Sequence, residues 1–212
     1  MNYQNNLEII NKIKIKRSLF ALSETQRKEL LEISVNNEIH NAIIKTQLEC
    51  GLRIGEIANL TIPKINFIEK IIFVEALKEN KYVKAWHPKT TFSQRIVPFT
   101  DSLKKTLRIV IGKRKEGYVF LSRKKKNAFQ IESLINMINY YAKKCNSIGR
   151  TIGSNALRRT YASFLIKKGI PIGTISKVLG HKDIKTTMLY LYDIADISDF
   201  DKTREILKGM NK

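Results

Sequence analysis

Residues 155–190 read NALRRTYASFLIKKGIPIGTISKVLGHKDIKTTMLY. The pattern predicts a helix over 160–168 ended by Gly169, a second led by Pro171 in an N1-like place, and a third that begins at Asp183 and carries Tyr190. The same stretch holds Asn155, Arg158, Arg159, His181 and Tyr190. Arginine grips two phosphate oxygens in one plane, and a phenol becomes a nucleophile once its proton is removed. Taken singly, these residues have plainer roles. A lone arginine is most often a surface or salt-bridged group, a histidine after glycine a helix cap, a tyrosine between leucines a core aromatic, and Asn155 a helix cap.

Working outward, residues 23–36 open with the cap candidate Ser23 and Gln26 three positions on, ahead of Leu30, Leu31 and Ile33 at helical spacing. Residues 38–50 repeat the pattern with Ile39, Ile43, Ile44 and Leu48, and Gly51 is a natural stop. A short helix over 54–60 follows. Four β-rich segments come next, 64–68, 70–76, 84–87 and 94–99, separated by polar turns as in a small antiparallel sheet. Helical periodicity returns over 101–111 and 130–145, with a short extended piece at 118–121.

Lys+Arg 39 against Asp+Glu 19 gives a formal charge of +20 in 212 residues, which points to a polyanionic partner, nucleic acid or anionic lipid. Part of the lysine count fits an AT-rich genome. At 43% hydrophobic the chain can bury a real core. It has no run of about 18 apolar residues, and its first twenty, with Lys12, Lys14, Lys16 and Arg17, lack the apolar segment of a signal peptide, so a soluble cytoplasmic protein is expected. Cys50 and Cys145 have neither metal-ligand spacing nor disulfide density and read as core thiols. The basic run Arg123, Lys124, Lys125 and Lys126 belongs in an exposed loop able to touch phosphate.

Four ordered boxes resemble the tyrosine recombinases, the phage integrase family, over residues 21–193. CGLRIGEIANL looks like the first arginine box, with Arg53 in the catalytic place and Glu56 in the acidic supporting place. HPKTTFSQRIVPF resembles the β-hairpin box and gives Lys89. NALRRTYASFLIKKG matches the second arginine box through Arg158, and LGHKDIKTTMLY the terminal box through His181 and, nine residues later, Tyr190. The family usually has histidine or lysine where this chain has Asn155, which can donate a hydrogen bond but carries no proton or charge to give.

The resemblance implies an α+β fold: a mainly α-helical catalytic domain with a small antiparallel β-sheet carrying Lys89. It implies a basic tail or linker at 1–21, a catalytic domain at 22–193 and a C-terminal helix at 194–212 that docks on a neighbouring protomer or folds back on its own domain. Relatives carry a core-binding domain ahead of this one, so the chain is expected to be an excised domain or a minimal recombinase. Its partner is expected to be double-stranded DNA, with self-association as a tetramer on the DNA, in the cytoplasm at the nucleoid and not at a membrane.

In the chemistry so implied, Arg53 and Arg158 stabilise the pentacoordinate phosphate and Tyr190 attacks it, leaving a 3′-phosphotyrosyl bond. His181 is expected to accept the phenolic proton, Lys89 to protonate the departing 5′-oxygen, and Asn155 to donate to a phosphate oxygen. Glu56 supports Arg53, while Arg159 and the 123–126 run contact DNA. Neither metal nor nucleotide cofactor is expected. The alternatives are a helix-turn-helix regulator built on residues 162–179, or a decayed recombinase serving as an architectural DNA binder.

Overall fold

The computed structural model describes residues 21–75, 94–122 and 127–190. Local chemistry sets the first two helices. In α1, Glu24–Ser34, the Ser23 hydroxyl accepts from the Gln26 N–H while the Gln26 side chain accepts from the Ser23 N–H, a reciprocal cap that satisfies two donors the helix itself cannot. In α2, Glu38–Cys50, Asn37 caps the start. At its end Gly51 turns left-handed at φ 60°, and a Cβ there would lie 2.4 Å from a Tyr161 ring carbon, so only glycine fits both the backbone and the packing. That turn delivers Arg53 to the first position before α3, Ile54–Ala58.

A three-stranded antiparallel sheet follows, β1 (Ile65–Asn66), β2 (Ile71–Val74) and β3 (Arg95–Pro98), in the order β1-β2-β3. Ile72 pairs with Val97 on the buried face, whereas the neighbouring Phe73–Ile96 pair is exposed. β1 is shorter than the 64–68 expected. Its limit is chemical: the Asn66 side chain accepts from the N–H groups of Ile68 and Glu69, turning the chain out of the ladder. The 84–87 segment lies outside the described residues.

Helices α4 (Asp101–Ile111) and α5 (Ile131–Lys144) keep nearly the bounds their periodicity predicts. Between them Val119 donates to the Leu60 carbonyl, which makes the 118–121 piece extended. Helix α2 is the centre of the domain, packed between α4 and α6 (Ala156–Lys167), with Ala42, Ile43 and Ile44 wholly buried. Cys50 and Cys145 are buried in this core, and burial raises both thiol pKa values, Cys145 to about 11. They are inert packing groups.

Three boundaries in the C-terminal part differ from expectation. Helix α6 starts at Ala156 rather than 160, because Asn155 takes the N-cap position and Ala156, Leu157 and Arg158 continue regularly from it. Pro171 caps α7, Ile172–Leu179, instead of entering it. Helix α8 runs only from Ile184 to Met188, and Tyr190 sits in the turn beyond, its N–H bonded back to the Thr187 carbonyl. The tightening to an i−3 bond places Tyr190 just outside the helix. Among the described residues no helix is long and apolar enough to cross a membrane.

Candidate active site

Glu56 sits in the first turn of α3 and reaches back to accept the Arg53 N–H at 2.7 Å, the acidic half of a capping box. The same carboxylate takes the Arg53 guanidinium at 2.8 Å and a two-point grip from Arg95 at 2.9 and 2.7 Å. An Arg158 nitrogen lies 4.0 Å away. Burial alone would raise the Glu56 pKa. The hydrogen bonds and charge of Arg95, with the charges of Arg158 and Arg53, reverse that and bring it down to about 2. Glu56 is therefore an ion in the protein interior.

The three arginines are also tied to the end of α7, one carbonyl each. Arg95 donates through Nε to the Val178 oxygen at 2.6 Å, Arg158 to that of Leu179, and Arg53 to that of Gly180 at 2.8 Å. A second Arg158 nitrogen donates to the Gly51 carbonyl at 2.6 Å. The last carbonyls of a helix lack partners within it and carry the negative end of its dipole, so this terminus is a natural seat for cations. Gly180 is left-handed at φ 67°, and a Cβ there would come within 3.0 Å of Arg95 Cδ. Three guanidinium charges against one carboxylate leave the cluster with a positive excess.

His181 follows directly. Its Nδ1 lies 2.7 Å from the hydroxyl of Thr187, and its ring is 5.9 Å, centroid to centroid, from that of Tyr190. Burial and the charges of Arg158, Arg53 and Arg95 push the imidazole pKa down to about 3, so the ring is neutral at physiological pH. Burial and the Arg53 charge also lower Arg158, to about 9, which leaves it cationic at neutral pH. Tyr190 is buried beside them.

Thus the fold gathers Arg53, Glu56, Arg158, His181 and Tyr190. Asn155 stands exposed, three residues before Arg158, at the N-cap of α6 but without a side-chain capping bond. Arg159 is half-buried on α6. Lys89 and the run Arg123, Lys124, Lys125 and Lys126 lie outside the described residues. Two members were missed from the sequence, Arg95 and Thr187. Arg95 shares the inward face of β3 with Val97, and an arginine on the buried side of a strand was the available signal. Among the described residues there is no group of three or more histidine, cysteine or acidic side chains able to hold a metal ion.

The family model described as "Phage integrase family" matches residues 21–195. The chain belongs to this family. Among curated relatives of the family, it is 30% identical over 211 residues to a tyrosine recombinase of Pseudothermotoga lettingae, covering 97% of this chain and 67% of that protein. It is 30% identical over 197 residues to tyrosine recombinase XerA of Saccharolobus solfataricus, covering 92% and 58%. The chain thus spans about three fifths to two thirds of these relatives' lengths. In fold it resembles the crystal structure of XerA recombinase, with a TM-score of 0.69 at 26% identity over 91% of this chain and 65% of that one. It also resembles the Tn1549 transposon integrase in complex with transposon right end DNA, with a TM-score of 0.76 at 21% identity over 93% and 68%. The expected mainly helical domain with a small antiparallel sheet is the fold observed.

Proposed function

We propose that the chain cuts and rejoins DNA strands site-specifically, with Tyr190 as the nucleophile. The observation that carries this is the convergence of Arg53 and Arg158 from distant parts of the chain onto neighbouring carbonyls, directly before His181 and beside Tyr190. Phosphoryl transfer needs permanent positive charge held in place before the reaction, and two arginines braced by a buried carboxylate and a helix end provide it. DNA as partner is supported by the charge of +20 and by the DNA complex in which the Tn1549 neighbour was solved.

In this reading the Tyr190 oxygen forms a bond to phosphorus as the bond to the 5′-oxygen breaks. The phenolic proton passes to solvent water, and the departing 5′-oxygen takes a proton from Lys89. The resulting 3′-phosphotyrosyl bond keeps the energy of the phosphodiester, so rejoining needs no nucleotide and no metal. Asn155, exposed at the start of α6, donates to a phosphate oxygen without adding charge. Residues 22–193 act as the catalytic unit and 1–21 as a basic linker, while 194–212 dock on a neighbouring protomer or fold back on their own domain, with assembly as a tetramer on DNA at the nucleoid. Arg159 and the 123–126 run contact the duplex.

The test is a nicked suicide substrate carrying the cognate site. A denaturant-resistant protein–DNA adduct is expected with the wild type and not with Tyr190→Phe. Tight binding to a verified site without any adduct would favour a regulator or an architectural DNA binder instead.

A further inference from the structure

Thr187 is wholly buried, and it touches both His181 and Tyr190. Its hydroxyl oxygen lies 2.7 Å from His181 Nδ1, and its backbone carbonyl accepts the Tyr190 N–H at 3.0 Å. A hydroxyl has one proton to donate, and a neutral imidazole has one nitrogen that donates and one that accepts. If Nδ1 carried the ring proton, it would donate to Thr187 and leave the hydroxyl proton with no acceptor in a buried place. Among the described residues, that hydroxyl meets no polar partner but His181 Nδ1. With the ring proton on Nε2, the hydroxyl donates to Nδ1 and both groups are satisfied.

We propose that Thr187 is a positioning residue of this centre, whose hydroxyl donates to His181 Nδ1 and so fixes the ring as the tautomer protonated at Nε2. The charged groups around the ring are Arg158, Arg53, Arg95 and Glu56, and the positive excess among them keeps it neutral, so a single tautomer is a meaningful state. The nitrogen left for the reacting groups is then a donor. It can stabilise a phosphate oxygen or the phenolate of Tyr190, and it cannot take the phenolic proton, in contrast to the acceptor role that the resemblance implies for His181. The tautomer follows from burial and geometry, whereas its catalytic consequence rests on the recombinase reading.

The experiment is a two-bond 1H–15N correlation of the imidazoles of the 15N-labelled chain near pH 7. The His181 signals are identified by their loss in His181→Asn, since the chain has 3 histidines. Wild type and Thr187→Ser are expected to show Nε2 protonated and Nδ1 accepting, and Thr187→Val to show mixed tautomers. Protonated Nδ1 in the wild type, or an unchanged tautomer in Thr187→Val, would overturn the proposal. The wild-type spectrum decides even if Thr187→Val fails to fold.

Single-turnover cleavage of the suicide DNA provides the second readout. Thr187→Val should slow it on the order of tenfold, as for partners that orient a functional imidazole elsewhere, with DNA affinity unchanged and Thr187→Ser restoring the rate. Equal rates for all three would overturn the positioning role. No cleavage by any form, with the tautomers as stated, would support the tautomer and overturn the recombinase reading.

Discussion

The apolar core around α2 and the ion cluster at the end of α7 both hide most of their groups from water, but they are held by different forces. Ile43, Ile44 and Leu48 are fixed by non-directional burial, and volume decides what fits there. Glu56, Arg95 and Arg158 are equally hidden, yet every contact among them has a direction and a charge. The core therefore determines whether the chain folds. The cluster determines where Arg53, Arg158 and His181 stand once it has.

A pair of substitutions separates these roles. Arg158→Ala should lower the cleavage rate on the order of 10²-fold or more by removing a preorganised charge, as measured by single-turnover adduct formation on folded protein. Ile43→Ala should instead cost about 2–5 kcal/mol of unfolding free energy in denaturant titration. The molecules that remain folded should cleave at the wild-type rate. An Ile43→Ala variant that stays fully folded but loses cleavage would break the distinction.

Acid sharpens it further. The Glu56 pKa is about 2 in the folded state against an ordinary value of 4.5, so its contribution to stability is full above 4.5 and is lost as pH falls toward 2. The shift corresponds to about 3 kcal/mol of stability at neutral pH. His181, also depressed, adds a loss that begins as pH falls through 6.5. Unfolding titrations from pH 7 to 3 should thus show falling stability in wild type. Glu56→Gln should show a shallower slope below pH 4.5, and an unchanged slope there would contradict the assigned ionisation.

The smallest expected effect concerns Arg95. Arg95→Lys keeps the charge but cannot hold both Glu56 oxygens and the Val178 carbonyl in one plane. Cleavage should fall, on the order of tenfold, with the unfolding midpoint moving less than in Ile43→Ala. A variant indistinguishable from wild type in rate would remove Arg95 from the centre.

How much of this could be read beforehand follows the same division. Helices α2 and α4 kept their predicted bounds because apolar periodicity, with Gly51 as the stop of α2, is a local signal. The first strand was overestimated because an Asn66 side chain, not hydropathy, ended it. Arg53, Glu56, Arg158, His181 and Tyr190 were legible from ordered spacing, and the fold gathers them. Arg95 and Thr187 were not, since their roles come from packing β3 against α7 and from a turn that bends Tyr190 back toward His181. Tyr190 itself was expected within a helix, where Tyr192 would point away from it; Tyr192 lies outside the described residues.

The most direct measurement is mass-spectrometric mapping of the peptide that stays attached to DNA after the suicide substrate is trapped and digested. The nucleotide tag is expected on Tyr190 through a phosphodiester to the 3′ end. A tag on Tyr192, on a serine, or on no residue despite verified binding to the cognate site would contradict the account.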